Sequence, residues 1–292
     1  MSTSGCTYLK IKNPYPRERR IVFDDSVNEK TGERRHDYYI DGSKEKIISV
    51  TTIIHRNFPK FDSDAIIAKI LRKPQWSNDP SYRYYQKSKE EIEQGWEKNR
   101  DYSAKMGSEM HLNIEKYWNN DSHDKMGDEY EKFMEFVGDH PKLIPFRTEL
   151  EIFDEKHRIA GSIDMLFTDK TGKNVWIYDW KRSKEFKYDN KWQRALRPEL
   201  QHLDDCNINH YSLQLNMYKY ILTKYYLKKD QKIRGMYLVK IHPNTPGYEK
   251  VKIKNMKPEI KSILKQRLNE LRGISESRDQ SETSLELNTC LL

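Results

Sequence analysis

The sequence predicts an α/β sandwich core with a helical N-terminal elaboration, and three observations carry that expectation. ELEIFD (149–154), RIAGSIDMLF (158–167) and VWIYDWK (175–181) are β-rich runs joined by Asp-Glu-Lys-His and Asp-Lys-Thr-Gly turns, the pattern of a meander. A helical stretch at 212–227 then leads into an apolar strand, MYLVKI, at 236–241. Upstream, residues 60–137 show helical rather than alternating texture.

From the N-terminus, RRIVF, HDYYI and KIISV read as short strands, with Thr31-Gly32 and Asp41-Gly42 as turn signals. Ser63 is positioned to cap a helix carrying Ala65, Ile66, Ile67, Ile70 and Leu71 before Pro74 stops it. From Ser88 to about Asn119 the pattern is helical but weakly apolar, with Gly107 as an expected break. A further helix is expected from Asp128 to about Val137, ended by Gly138 and Pro141. Residues 184–210 are polar and irregular. After the 236–241 strand, HPNTPGY reads as a loop, VKI as an edge strand, and 258–272 as a helix begun by Pro258. The tail from Ser275 has the composition of a disordered segment. The expected divisions are 1–60 as strands and turns packed on the core, 61–142 as a helical region, 143–273 as the core and 274–292 as the tail.

Composition excludes several classes. Nineteen tyrosines and six tryptophans are too many for a disordered chain, so the protein folds. The net charge of +8 favours a polyanionic partner. No apolar run reaches the ~18 residues of a membrane span, and MSTSGCTYLK lacks the apolar stretch of a secretory signal. Cys6, Cys206 and Cys290 cannot build a disulfide framework, a zinc knuckle or a four-cysteine iron–sulfur site. The expected setting is a reducing, intracellular compartment, cytoplasm or nucleus.

Chemistry concentrates in the predicted sheet. An acid two residues before a base arises by chance about eight times in this composition, so Asp179-Trp180-Lys181 alone says little. Its surroundings say more, because Asp164 and Asp179 each sit between apolar residues of a strand. A buried carboxylate costs several kcal/mol unless paired or bound to a cation. Two such acids on adjacent strands repel, and one divalent metal relieves both. Mg²⁺ suits one or two carboxylates and phosphate substrates. Lys181, two residues after Asp179, projects from the same strand face, where an ammonium can orient water or neutralise developing charge. The alternative is a structural ion pair, Asp164–Lys181 or Asp179–Lys181. Glu149 and Glu151 face one way on the preceding strand, so either could join the site, with a solvated face the better account of Glu151. His111 lies on a helix, and a lone histidine is more often a core or surface residue than a ligand. Gln214 and Tyr218 share one helix face at i and i+4.

In order along the chain, GSEMH (107–111), Glu149, GSID (161–164), YDWK (178–181) and QLNMY (214–218) resemble the PD-(D/E)XK nuclease superfamily in its RecB-like and lambda-exonuclease-like branch. The match covers about residues 104–222. It is similar to mitochondrial genome-maintenance exonucleases and to nucleases of large DNA viruses. The resemblance implies a restriction-endonuclease-like core, a central mixed sheet flanked by helices, within 143–273, and a DNA-cleaving hydrolase. It implies that Asp164 and Asp179 ligate Mg²⁺ or Mn²⁺, with the Trp180 carbonyl and His111 as further ligands. Lys181 would position the attacking water, Glu149 would add a catalytic carboxylate, and Gln214 and Tyr218 would hold the lysine and the scissile strand. Ile163 replaces the proline of the family name, and Asp179 serves as the second acid; neither departure removes a catalytic group. With three cysteines and no GxxxxGK[ST], neither an iron–sulfur cluster nor a nucleotide cofactor is expected.

The expected substrate is DNA, single-stranded or with a free end, taken by a monomer without membrane contact. Arg182, Ser183, Lys184, Lys187, Lys191, Arg194 and Arg197 follow the catalytic strand with Phe186, Tyr188 and Trp192 between them, a mixture that suits phosphates plus stacked bases. Ser81-Tyr82-Arg83-Tyr84-Tyr85 is a second such cluster, with Tyr84 and Tyr85 as candidate contacts. The alternative for both is a solubilising loop whose aromatics pack underneath.

Overall fold

The computed structural model describes residues 6–24, 26, 37–43 and 47–289, with the side chains of 274–289 outside the description. The Thr31-Gly32 turn falls outside the described residues. Strands β1 (Ile21–Asp24) and β2 (Asp37–Ile40) pair antiparallel as a two-stranded sheet. The main sheet holds β3 (Ile48–Ser49), β4 (Ile144–Asp154), β5 (Ile159–Thr168), β6 (Asn174–Lys181), β7 (Lys232–Lys240) and β8 (Glu249–Lys252). β4, β5 and β6 form the expected meander; β7 joins β6 in parallel, and β8 closes the edge antiparallel to β7. The parallel step needs a crossover, supplied by a helix, α7, at Asn207–Tyr225. This is the mixed sheet flanked by helices that the sequence implied.

Seven further α-helices and two short 3-10 helices, Pro16–Arg20 and Pro198–Leu200, occur among the described residues. The α-helices are α1 (Tyr8–Lys12), α2 (Val50–His55), α3 (Ser63–Leu71), α4 (Pro74–Asn78), α5 (Lys89–Trp118), α6 (Asp128–Asp139) and α8 (Lys257–Thr289). Several boundaries differ from expectation for local reasons. Asp62, not Ser63, caps α3, accepting from the Ala65 N–H at 2.9 Å. The run KIISV turns helical at Val50 because the Ser49 hydroxyl accepts from the Thr52 N–H. α5 continues through Gly107, with Ser88 and Glu91 forming a capping box at its start. Nothing lies within 4 Å of a Cβ built at Gly107, so the glycine costs helix propensity without opening a bend. α8 passes the expected end near residue 272 and runs to Thr289.

The sheet separates two apolar layers. On one side Leu150, Ile152, Ile177 and Leu238 pack with Leu213, Met217 and Ile221 of α7, alongside α2 and α8. On the other, Met165, Phe167, Tyr178 and Trp180 meet Met110 and Ile114 of α5 and Phe133 and Phe136 of α6. The N-terminal half of α5 leaves the sheet and packs Ile92 and Trp96 against Ile67 and Ile70 of α3. The first residues are tied to β4 by a buried ion pair, Arg147 Nη2 to Glu18 at 2.7 and 2.9 Å. Among the described residues no helix is long and apolar enough to cross a membrane.

Candidate active site

β5 has two partners on the same side. Its first residues pair with β3 and its last four with β6, the final β5–β6 pair being Met165↔Tyr178. Between these contacts the strands part, and the backbone of Trp180 faces a notch instead of a ladder. Side chains replace the missing strand. The Asp164 Oδ2 accepts from the Trp180 N–H at 2.9 Å, and His111 Nε2 lies 2.9 Å from the Trp180 carbonyl.

Alternation along β6 directs Val175 and Ile177 toward α7, and Asp179 and Lys181 continue on that side. Lys181 Nζ lies 2.7 Å from Asp179 Oδ2. Apart from that ion pair, neither buried oxygen of Asp179 has a hydrogen-bond donor among the described residues. Burial, together with the charge of Asp164, pushes the Asp179 carboxyl up to about 7 despite Lys181. Burial would lower the Lys181 ammonium, but the carboxylates of Asp179 and Asp164 outweigh it and hold its pKa above the ordinary value. α7 supports the lysine from beneath. Gln214 Oε1 lies 3.5 Å from Lys181 Nζ, Gln214 Nε2 donates to the Tyr218 hydroxyl at 2.9 Å, and the Tyr211 ring centroid is 4.6 Å from Nζ.

Glu149 completes the acidic side. The β4–β5 register places it across from Asp164, between the pairs Thr148↔Met165 and Leu150↔Ile163. Its φ of 40° is a left-handed conformation that costs a non-glycine residue of order 1 kcal/mol or more. Ser162 Oγ donates to Glu149 Oε2 at 2.9 Å. Burial and the charge of Asp164 push the Glu149 carboxyl well above its ordinary range. Glu151, on the same strand, is set among Lys10, Glu18 and Arg147, and burial pushes it up to about 7.

The donor set fits a hard divalent cation. One ligand atom each from His111, Glu149 and Asp164 lies within 4.8 Å of the others. The Trp180 carbonyl only accepts, so His111 Nε2 carries the hydrogen. Its Nδ1 then faces Asp164 Oδ2 at 3.5 Å and Glu149 Oε1 at 4.0 Å. The Asp164 and Glu149 carboxylates thus crowd the Nδ1 side of the ring, and Asp179, paired with Lys181, adds further acceptor oxygens nearby. A cation among His111, Glu149 and Asp164 would satisfy all three groups. Asp179 leans onto Lys181 outside the three-residue group, and the Trp180 carbonyl is occupied by His111.

A family model of the PD-(D/E)XK nuclease superfamily matches residues 65–290. The chain belongs to the PD-(D/E)XK nuclease superfamily. Membership implies metal-dependent phosphodiester hydrolysis on a DNA substrate, and such nucleases typically use divalent metals such as Mg²⁺. No curated protein matches the chain. Among solved structures it is similar to the crystal structure of SSO0001, at 12% identity and a TM-score of 0.34, over 77% of this chain and 76% of that one.

The candidate DNA contacts divide by exposure. Lys184, Lys187 and Lys191 are exposed along the loop after β6, and Ser183 is half-buried with its hydroxyl donating to the Glu185 carbonyl. Arg194 is exposed, 3.2 Å from Asp204. Arg182 differs: its side chain is 8% exposed and binds Glu129 of α6 at 2.9 Å, so its charge is used inside the fold. Tyr84 is half-buried, accepts from Trp96 Nε1 at 3.0 Å and packs in the α3–α5 cluster; Tyr85 is half-buried beside it. Tyr211 was missed in the sequence. Its signal was available, since positions 211, 214 and 218 recur at i, i+3 and i+7 on one helix face.

Proposed function

We propose that the protein is a Mg²⁺-dependent deoxyribonuclease, with Mn²⁺ as a substitute. It acts without ATP as an exonuclease on single-stranded DNA or DNA ends, in replication, repair or recombination. The observation that carries this reading is the β5–β6 notch, where His111, Glu149 and Asp164 converge and Asp179 pairs with Lys181. The exonuclease assignment rests on the ordered resemblance of GSEMH, GSID, YDWK and QLNMY to the RecB-like branch.

The cation would be held by Asp164, Glu149 and His111, with Asp179 joining from Lys181's side. Once bound, it supplies Lewis acidity and positive charge against the scissile phosphate. In hydrolysis water adds to phosphorus, one P–O ester bond breaks, and the departing oxygen takes up a proton. Lys181 stays an ammonium at neutral pH, so its task is to hold the water and offset charge on the phosphate rather than to remove a proton. Gln214 fixes the lysine's reach, and Tyr218 and Tyr211 fix Gln214 and the ammonium. The Trp180 carbonyl sets the His111 tautomer. Lys184, Lys187, Lys191 and Arg194 would receive the strand as it leaves the notch, beside Ser183.

The test uses end-labelled DNA, linear and circular, single- and double-stranded, with Mg²⁺, Mn²⁺ or EDTA. Metal-dependent loss of linear DNA, spared circles and an inactive Lys181→Ala variant are expected. Cut circles would replace the exonuclease reading with an endonuclease. Tight binding without cleavage would replace it with a silent binding module.

A further inference from the structure

The loop after β6 carries the most exposed large apolar side chain among the described residues, Trp192, at 91%. A single exposed apolar side chain is ordinary, so what matters here is the setting of this indole. The other aromatics of the loop are used differently. Phe186 is buried against Tyr211, whereas Tyr188 is exposed beside Glu249.

Trp192 is held on a fixed support. Asn190 Oδ1 accepts from the Trp192 and Gln193 N–H groups at 3.0 and 3.2 Å, and its Nδ2 donates to the Asp205 carbonyl at 2.8 Å. The Asp205 N–H donates to the Gln193 carbonyl, the Lys187 N–H to Asn207 Oδ1, and the Leu196 N–H to the Asn57 carbonyl. The ring therefore stands on a loop tied to α7 and to Asn57, just beyond α2, so little backbone ordering entropy remains to be lost on binding.

Beside it opens a cleft of about 580 Å³ lined by Lys187, Asn190, Lys191, Trp192, Asn207 and His210, with Asp189 and Asp205 also contributing. Asp205 is committed to His210, Oδ1 to Nε2 at 2.8 Å. The cleft is continuous in sequence with the catalytic group, since His210 precedes Tyr211, whose ring lies under Lys181. Its chemistry is mixed: two exposed lysines at the rim, amides and an imidazole within, and an aromatic wall. A row of phosphates wants uniform positive charge, whereas a base wants a π-face and both donors and acceptors.

We infer that this cleft binds an unpaired nucleotide of the DNA strand, with the base stacked on Trp192 and its flanking phosphates on Lys187 and Lys191. The inference rests on the nuclease reading and deepens it: the substrate enters single-stranded on this side of the notch. A base still paired in a duplex cannot present its face to the indole, so blunt duplex gains nothing from Trp192.

The test is intrinsic tryptophan fluorescence and affinity for a short oligothymidylate and for a blunt duplex, in EDTA so that neither is cut. Wild type, Trp192→Phe and Trp192→Ala are compared. Because Trp192 is solvent-exposed, neither substitution disturbs packing. Quenching by oligothymidylate should fall sharply in both variants, and affinity should drop about ten-fold or more in Trp192→Ala. Trp192→Phe should recover most of that loss, and duplex affinity should be unchanged throughout. Equal loss on both DNAs, or no loss on either, would overturn the inference. Cleavage of labelled DNA by wild type is scored separately. An active enzyme with an indifferent Trp192 removes the cleft and leaves the nuclease reading. A quenched Trp192 on a protein that cuts nothing does the reverse.

Discussion

Two buried aspartates of the same sheet have opposite surroundings. Asp154, at the end of β4, is 0% exposed and fully served. It lies 2.6 Å from His157 Nδ1, accepts from the Tyr225 hydroxyl at 2.8 Å, and has Lys224 Nζ 4.0 Å away. Burial raises its pKa, but the His157 and Tyr225 hydrogen bonds more than offset that, holding it below the ordinary value. Asp179, at the end of β6, is equally buried, has Lys181 alone, and is pushed up to about 7. Burial is thus not what distinguishes these two carboxylates. The difference is whether the chain itself completes the donor set, and at Asp179 it does not.

The largest expected effect separates the two on activity. Asp179→Asn and Lys181→Ala should each reduce DNA cleavage by at least ~100-fold, with the fold retained. In EDTA Asp179→Asn relieves the repulsion from Asp164 but takes the ion-pair partner from Lys181, so the two effects on stability should largely offset. Asp154→Ala should keep activity and lose stability. It leaves His157 and Tyr225 without their acceptor and should cost about 3 kcal/mol of stability, with cleavage per folded molecule unchanged. Denaturant titration alongside a cleavage assay reads both. Loss of cleavage in Asp154→Ala at full folding would erase the distinction.

Cation binding sharpens the comparison next. A ligand that binds only the folded state stabilises it by about 2.7 kcal/mol at a hundred times its dissociation constant. Mg²⁺ or Mn²⁺ should therefore raise the melting temperature of wild type and of Asp154→Ala. The rise should vanish in Asp164→Asn, which weakens the group formed with His111 and Glu149. A shift that persists in Asp164→Asn would place the cation elsewhere.

How much of this was legible follows from the range of each interaction. β4 to β6 could be read because their apolar runs and turns are local, and the carboxylates stood out as polar residues within them. α2 was hidden inside KIISV, since its start depends on one Ser49–Thr52 hydrogen bond within an otherwise strand-like run. Arg182 was read as a free cation because its partner, Glu129, lies 53 residues away. The left-handed backbone at Glu149 left no mark either, as glutamate is not a residue type that announces positive φ. Glu149 and Asp164 were legible as acids; how close His111 comes to both is set by the notch.

A smaller effect tests how tightly the site is clamped. A Cβ at Gly161 would meet the Tyr218 ring at 2.7 Å, and that ring is buried and held by Gln214. Gly161→Ala should cost about 1–3 kcal/mol and lower cleavage as well, because the strand that moves carries Asp164. Gly235→Ala offers the control: its Cβ would meet the Tyr237 ring, also at 2.7 Å, on β7 away from the notch. It should destabilise without changing cleavage per folded molecule. Equal effects of the two on cleavage would mean that the Gly161 contact does not position Asp164.

The smallest effect is in the acid limb of stability, measured in EDTA. Asp154 has a folded pKa below its unfolded value, so the unfolded chain binds its proton first as pH falls. Its contribution is complete above the ordinary carboxylate value of about 4 and is lost as pH drops through and below it. The stability gap between wild type and Asp154→Ala should therefore be constant near neutrality and narrow below about pH 4. For Asp179 the sign is opposite. Its raised folded pKa means the folded state keeps the proton longer, so ionising it between about pH 4 and 7 costs stability, and Asp179→Asn should gain on wild type across that window. Gaps that move the same way with pH at both positions would show that the two aspartates are not differently served after all.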